Sequence, residues 1–199
     1  LLEIANTKAA VYDDLRADGV AVVNADDAFA PYFVARAGSH RVLRFGLEAS
    51  AEVTATGIVL GQGSSRFQLH APQGEAAVAL QLPGRHNVLN ALAAATLALA
   101  AGIALPLVIQ GLAQARPVAG RQVAHVLPNG AVLVDDSYNA NPGSLAAAIS
   151  ALAAGQEEGW LVLGDMRELG PEARALHAQA GQRARAAGLK RLYTLGPLS

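Results

Sequence analysis

The sequence contains no cysteine, which excludes disulfides and thiolate metal sites and fits a reducing compartment. It has no surplus of positive charge either. Fifteen lysine and arginine residues stand against 16 aspartates and glutamates, a formal net charge of -1. Counterion release from a phosphate backbone therefore has little to act on, and nucleic acid is a poor partner. Only two lysines are present, Lys8 and Lys190. Neither ends a G-x-x-x-x-G-K-[ST] loop, so the chain has no P-loop. The five histidines, at 40, 70, 86, 125 and 177, show no metal-ligand spacing and argue against zinc. The amino-terminal region lacks the basic start and continuous apolar core of a signal peptide. With no initiator methionine, the chain reads as a processed or excised fragment.

What is present suits a packed interior: 52% of the 199 residues are hydrophobic, enough for one large or two small domains. Residues 91–109 carry no charge and approach the length of a membrane span. Alanine dominates them, and Gly102 and Pro106 interrupt them, so two buried helices of a soluble domain are the better reading.

Apolar Ile4, Val11, Tyr12 and Leu15 predict a helix over residues 1–16, stopped by Asp18-Gly19. A strand is expected at 20–23, a helix at 26–37 despite Pro31, and a strand at 41–45. Three β-like runs at 53–60, 65–70 and 76–82, separated by Gly61-Gln62-Gly63 and Pro72-Gln73-Gly74, read as an antiparallel meander. Helices follow at 86–101 and 105–115. Proline and glycine concentrate in Arg116-Pro117-Val118-Ala119-Gly120, which places a boundary between domains 1–116 and 117–199. Strands at 122–127 and 131–135 flank an Asn129-Gly130 turn. A helix at 143–154, a strand at 160–163, a helix at 171–187 and a strand at 191–195 complete the chain. This alternation predicts a parallel, doubly wound sheet with ligands beyond the carboxyl ends of its strands.

Three segments concentrate polar chemistry. Asp135-Asp136-Ser137-Tyr138-Asn139-Ala140-Asn141-Pro142 joins a strand to a helix. Asn141 can cap that helix with Pro142 at its first position, and the helix start offers backbone N–H groups to an anion. A plain, well-capped turn would have the same residues. Gly164-Asp165-Met166-Arg167-Glu168-Leu169-Gly170 leaves the next strand, and the two strand ends would share a crevice. Asp165 and Glu168 there can orient an amine or a metal-bound water, or simply shape a turn. In Gly84-Arg85-His86-Asn87-Val88-Leu89-Asn90, Asn87 and Asn90 lie on one helix face, where carboxamides suit the edge of adenine. Alternatively, His86 and Asn87 cap the helix and Asn90 is a satisfied interhelical group. Arg121, just past Ala119-Gly120, can offer a guanidinium fork to a phosphate held by the other domain, or be a solvated surface arginine. Taken alone, Lys8 reads as a solvated helix lysine.

Together these segments resemble the Mur ligases over essentially the whole chain. The run from Asp136 to Pro142 is similar to the D-S-Y-N-A-N-P signature of the family's D-alanyl-D-alanine-adding branch. Gly164-Asp165-Met166 with Glu168-Leu169-Gly170 is similar to that branch's G-D-M-x-E-L-G, and His177 is in register with the same pattern. Sister branches usually carry Y-A-H-x-P or D-S-K-A-T-N, and folylpolyglutamate synthases D-G-A-H-N-P.

The resemblance implies an α/β fold: the remainder of a central ATPase domain, helices plus antiparallel meander, followed by a partial Rossmann-like C-terminal ligase domain. It implies ATP and Mg2+ as cofactors. His86, Asn87 and Asn90 would lie near the adenine, Asp136 at the ribose and Arg121 at the terminal phosphates. Ser137, Tyr138, Asn139 and Asn141 would contact substrate and nucleotide. Lys8 falls where Mur ligases carry a carbamylated lysine, with Val11 and Tyr12 matching the positions three and four further on. As an anion it would help hold a second magnesium ion or its waters.

The implied reaction phosphorylates the terminal carboxylate of UDP-MurNAc-tripeptide with ATP, after which the amine of D-alanyl-D-alanine attacks the acyl phosphate. A monomeric, cytoplasmic enzyme without a membrane span is expected. Alternatives are another Mur ligase, a folylpolyglutamate synthase-like enzyme, or a non-catalytic binding fragment of the fold. The family's UDP-binding domain and G-K-T loop would precede Leu1, so the chain alone is expected to have no ligase activity.

Overall fold

The computed structural model describes residues 2–61, 63–154 and 158–199; Leu1 and Gln62, parts of the predicted first helix and first meander turn, lie outside them. Two compact units, Leu1–Pro117 and Val118–Ser199, make up the chain. Both mix helix and strand.

The first unit opens with α1 (Leu2–Ala9) and a 3₁₀ turn at Ala10–Tyr12, shorter than the sequence suggests. Its predicted apolar stripe is not the buried one. Ile4 and Val11 are 61% and 63% exposed, while Ala5 and Ala9, one turn apart, face inward. Glu3 in the first turn and Lys8 in the last suit the helix dipole. Three tethers hold the segment down: Tyr32 donates its hydroxyl to the Asn6 side chain, the Tyr12 hydroxyl donates to the Val22 carbonyl at 3.0 Å, and Arg36 forms a two-pronged pair with Asp13 at 2.8 and 2.5 Å.

β1 (Val20–Asn24) and β2 (Arg41–Phe45) pair in parallel, Val20 opposite Arg41 and Asn24 opposite Phe45, with α2 (Ala30–Arg36) crossing between them. The predicted helix at 26–37 starts late because both aspartates are engaged. Asp26 accepts backbone N–H groups from beyond β2, and Asp27 accepts the Phe29 N–H at 2.7 Å. Pro31 then falls in the first turn, where its missing N–H costs nothing.

The meander is present as β3 (Thr54–Leu60), β4 (Ser65–Ala71) and β5 (Gly74–Leu80), antiparallel in that order. A bulge between Thr56 and Val59 uses Gly57 at φ +60°. Next come α3 (Arg85–Ala100) and α4 (Leu105–Gln114). On α3, Val88, Ala91, Leu92, Ala95, Thr96 and Leu99 are buried, the i, i+3, i+4, i+7 spacing of a single apolar stripe. They pack on Leu43, Phe45, Phe67, Leu69, Val78 and Leu80 of the strands. Fully burying a leucine of this kind contributes about 1.5–3 kcal/mol. Gly102, at φ +81°, ends the helix, and the Ile103 N–H bonds back to the Ala98 carbonyl at 3.0 Å. Among the described residues no helix is long and apolar enough to cross a membrane.

The second unit begins with the antiparallel hairpin of β6 (Val123–Val126) and β7 (Val132–Asp135). Gly130, at φ +84°, closes the turn, and Asn129 accepts the Ala131 N–H. α5 (Pro142–Ala154), β8 (Trp160–Gly164), a 3₁₀ turn at Gly170–Glu172, α6 (Ala173–Ala186) and β9 (Arg191–Leu195) follow. Leu161 and Leu163 of β8 pack with Leu145, Ile149, Met166, Ala180 and Ala184 into one small core. Among the described residues the predicted parallel winding is confined to β8–α6–β9. β7 pairs only with β6, in a separate sheet, so the strand ends of β7 and β8 are not hydrogen-bonded neighbours as expected. The Asn129-Gly130 turn pairs one edge of β7 with β6, and among the described residues no strand is bonded to its other edge.

Candidate functional site

In the second unit the polar loop between β7 and α5 is organised by its own side chains. Asp135 accepts the Ser137 N–H at 3.1 Å. The hydroxyl and N–H of Ser137, in that order, hold the Asp135 carboxyl below the usual aspartate range against some desolvation, helped by His125 and the Gly120 backbone. The Asn139 side-chain oxygen accepts the Ala140 N–H at 2.9 Å. Asn141 caps α5, its Oδ1 accepting the N–H groups of Gly143 and Ser144, both at 3.0 Å. Ser144 reciprocates, its Oγ accepting the Asn141 N–H at 3.1 Å and donating to the Asn141 carbonyl. The predicted anion site at this helix start is therefore not open. Pro142 has no N–H, and Asn141 consumes the next two.

Asp136, Ser137, Tyr138, Asn139 and Asn141 are all exposed. Asp136 makes no side-chain hydrogen bond among the described residues, so its oxygens are available to hydroxyl groups such as those of a ribose. The Tyr138 N–H donates to the Gly120 carbonyl at 2.9 Å, and the Arg121 Cζ lies 4.1 Å from the Tyr138 ring centroid. Sequence reasoning had Arg121 and Tyr138 as separate candidates; the structure brings them together.

In the loop after β8, Asp165 serves the backbone, the second of the two readings open to it: it accepts the N–H groups of Leu198 and Ser199 at 3.1 and 2.8 Å. Desolvation, the largest single influence, pushes its carboxyl up. The Ser199 backbone and hydroxyl, the Leu198 N–H and His177 outweigh it, leaving the carboxyl below the ordinary range. Glu168 is exposed in a left-handed conformation at φ +61°. His177 is 4% exposed. It accepts the Met166 N–H on Nε2 at 2.9 Å, and its Nδ1 lies 2.7 Å from the Ala173 carbonyl. It holds the loop's backbone rather than a ligand.

In the first unit, Gly84 (φ +91°) turns the chain into α3, and a Cβ there would sit 2.6 Å from the His86 ring. Asn87 donates from Nδ2 to the Pro83 carbonyl at 2.7 Å, and Asn90 donates to Asn87 Oδ1 at 3.4 Å. Neither asparagine caps a first-turn N–H, and Asn90 is exposed rather than interhelical. Asn90 keeps its carbonyl and one N–H, a donor and acceptor pair that suits an adenine edge. His86 lines an open cavity of about 290 Å³ with Asp26, Leu47, Glu48, Arg85 and Leu89.

Asp26 was not singled out from the sequence. Its carboxylate accepts N–H groups of Leu47, Glu48 and Ala49 at 2.6, 3.1 and 2.7 Å. Desolvation raises its carboxyl, but those three bonds and Arg85 bring it below the usual range. The available signal was its place in Asn24-Ala25-Asp26-Asp27 at a strand end.

Lys8 is exposed at the end of α1 and forms no ion pair among the described residues. No three His, Asp or Glu side chains converge as metal ligands among those residues. Within the described residues, a carbamylated Lys8 would offer a magnesium ion one negative oxygen ligand.

Comparison with known proteins gives a consistent relationship. The Mur ligase middle domain model matches residues 1–98 and the Mur ligase, glutamate ligase domain model matches residues 120–199. UDP-N-acetylmuramoyl-tripeptide--D-alanyl-D-alanine ligase of Escherichia coli is 40% identical over 200 residues, covering all of this chain and 44% of that protein. This chain thus spans less than half the length of that relative. A crystal structure of MurF from Acinetobacter baumannii superposes with a TM-score of 0.89 at 35% identity, over 98% of this chain and 42% of that one. MurF ligase from Thermotoga maritima in complex with ADP gives a TM-score of 0.72 at 26% identity, over 90% of this chain and 40% of that one.

Proposed function

The chain belongs to the Mur ligase family, and on that premise we propose that it is part of an ATP-dependent ligase joining D-alanyl-D-alanine to UDP-MurNAc-tripeptide in peptidoglycan precursor synthesis. The observation that carries this reading is the loop from Asp136 to Asn141. Its side-chain hydrogen bonds are made within the loop and the helix start, and Asp136, Tyr138 and Asn141 are all exposed. Residues 1–116 are assigned to the C-terminal portion of a central ATP-binding domain and residues 117–199 to the N-terminal portion of a Rossmann-like ligase domain. The same reading makes the enzyme a cytoplasmic monomer.

ATP, when bound, supplies the phosphoryl group that activates the substrate carboxylate. The residues of this chain act by binding and orientation. Asn90, steadied by Asn87, meets the adenine edge beside His86. Asp136 accepts from ribose hydroxyls. Arg121 offers paired N–H donors to the terminal phosphate oxygens. A carbamylated Lys8 adds a negative oxygen ligand for Mg2+ that the free ammonium cannot provide. Ser137, Tyr138, Asn139 and Asn141 line the approach of the peptide substrates.

Incubating the full-length gene product with UDP-MurNAc-tripeptide, D-alanyl-D-alanine and MgATP should yield UDP-MurNAc-pentapeptide by mass spectrometry. Ligation of glutamate or a diamino acid to a shorter UDP-MurNAc-peptide, or of glutamate to a folate, would replace this assignment.

A further inference from the structure

At the start of the second unit Arg121 stands between two left-handed residues, Gly120 at φ +74° and Gln122 at φ +53°. Glycine adopts this conformation freely, but glutamine does so under strain, and strained backbone persists where surrounding contacts over-determine it. Tyr138 supplies contacts to the two residues just before Gln122. Its N–H is bound to the Gly120 carbonyl at 2.9 Å, and a Cβ on residue 120 would come within 3.0 Å of the Tyr138 nitrogen. The Arg121 Cζ then lies 4.1 Å from the centroid of the same tyrosine's ring. Tyr138 is 65% exposed, so it is not there to fill a core.

A ring is an unusual choice of partner for an arginine meant only to be neutralised. A carboxylate would occupy the N–H donors of the guanidinium. An aromatic face attracts the cation through its quadrupole and leaves those donors unspent. Arg121 makes no ion pair among the described residues, so its fork is oriented without being satisfied. Phosphate oxygens match such a fork in charge and spacing.

We propose that Tyr138 is a positioning residue whose ring holds the Arg121 guanidinium ready for the oxygens of a phosphate-bearing ligand. The inference rests on the reading of Arg121 as a phosphate contact, and the test separates the two.

Inorganic triphosphate is titrated into the 199-residue chain by NMR, following amide shifts and the Arg121 δ-protons. In the wild type those protons should lie upfield, shifted by the ring current. Arg121→Ala should remove most of the affinity. Tyr138→Leu should weaken it about two- to fivefold and move the Arg121 δ-protons downfield. Tyr138→Phe should restore both, and the double variant should bind no more weakly than Arg121→Ala alone. Tyr138→Gln serves as the second ringless variant if Tyr138→Leu loses its dispersed spectrum. Absence of wild-type binding, or wild-type affinity in Arg121→Ala, overturns the phosphate reading and the inference with it. If Arg121→Ala weakens binding but both ringless variants match the wild type, the positioning role alone is overturned.

Discussion

Met166 gives its backbone N–H to His177 Nε2 at 2.9 Å, fixing the loop that leaves β8 to the first turns of α6. Both partners are buried, at 2% and 4% exposure. His177→Ala leaves the Met166 donor buried without an acceptor and should cost about 1–3 kcal/mol. Urea unfolding of the second unit reports it, and an unchanged midpoint would contradict the assignment.

Asn141 caps α5 through two 3.0 Å bonds. Asn141→Ala should lower stability by about 0.5–2 kcal/mol, while Asn141→Asp, which retains the acceptor, should hold it near the wild type. Equal losses in the two variants would show that the cap contributes little.

Leu92 is fully buried beneath the strands of the first unit. Leu92→Ala should cost about 2–5 kcal/mol. Thermal unfolding of the two units, followed by separate probes, should show the loss in the first unit only.

Acid should unfold the first unit through its held-down carboxyls. Glu52 is lowered chiefly by its Arg44 side-chain bond. Asp26 is lowered because its backbone bonds and Arg85 overcome the desolvation that opposes them. A carboxyl depressed in the folded state adds stability that is fully present above its unfolded value, about 4, and is lost as pH falls toward the folded value. Stability should therefore be level above about pH 5 and decline below about pH 4. Asp26→Asn should reduce stability at pH 7 and flatten the acid limb between pH 5 and 3. An undiminished acid limb in that variant would remove Asp26 from the account.

Local chemistry made much of this fold legible before any coordinates. Asn129-Gly130 announced a hairpin, Pro72-Gln73-Gly74 a meander turn, and the uncharged, alanine-rich run from Ala91 a buried helix, because each signal lies within a few residues of what it specifies. The first helix misled for a steric reason. Ala5 and Ala9 permit close approach, so small side chains rather than Ile4 and Val11 face the interior. The site divided in the same way. Asn141 was readable as a cap, but capping and anion binding draw on the same two amides, and only geometry shows which prevails. Asp26 escaped notice because its three donors lie 21 to 23 positions away. Tyr138 over Arg121 is also a tertiary contact, invisible to spacing.

The reciprocal bonds between Asn141 and Ser144 make α5 self-supporting at its leading end. The residues just upstream, Asp136 to Asn139, are thereby released from any duty to keep the helix wound. On the proposed assignment, the contacts of Ser137 to Asn139 and the winding of the helix sit side by side yet answer to separate constraints. A lineage, or a protein engineer, could exchange those three residues without unwinding the helix they precede.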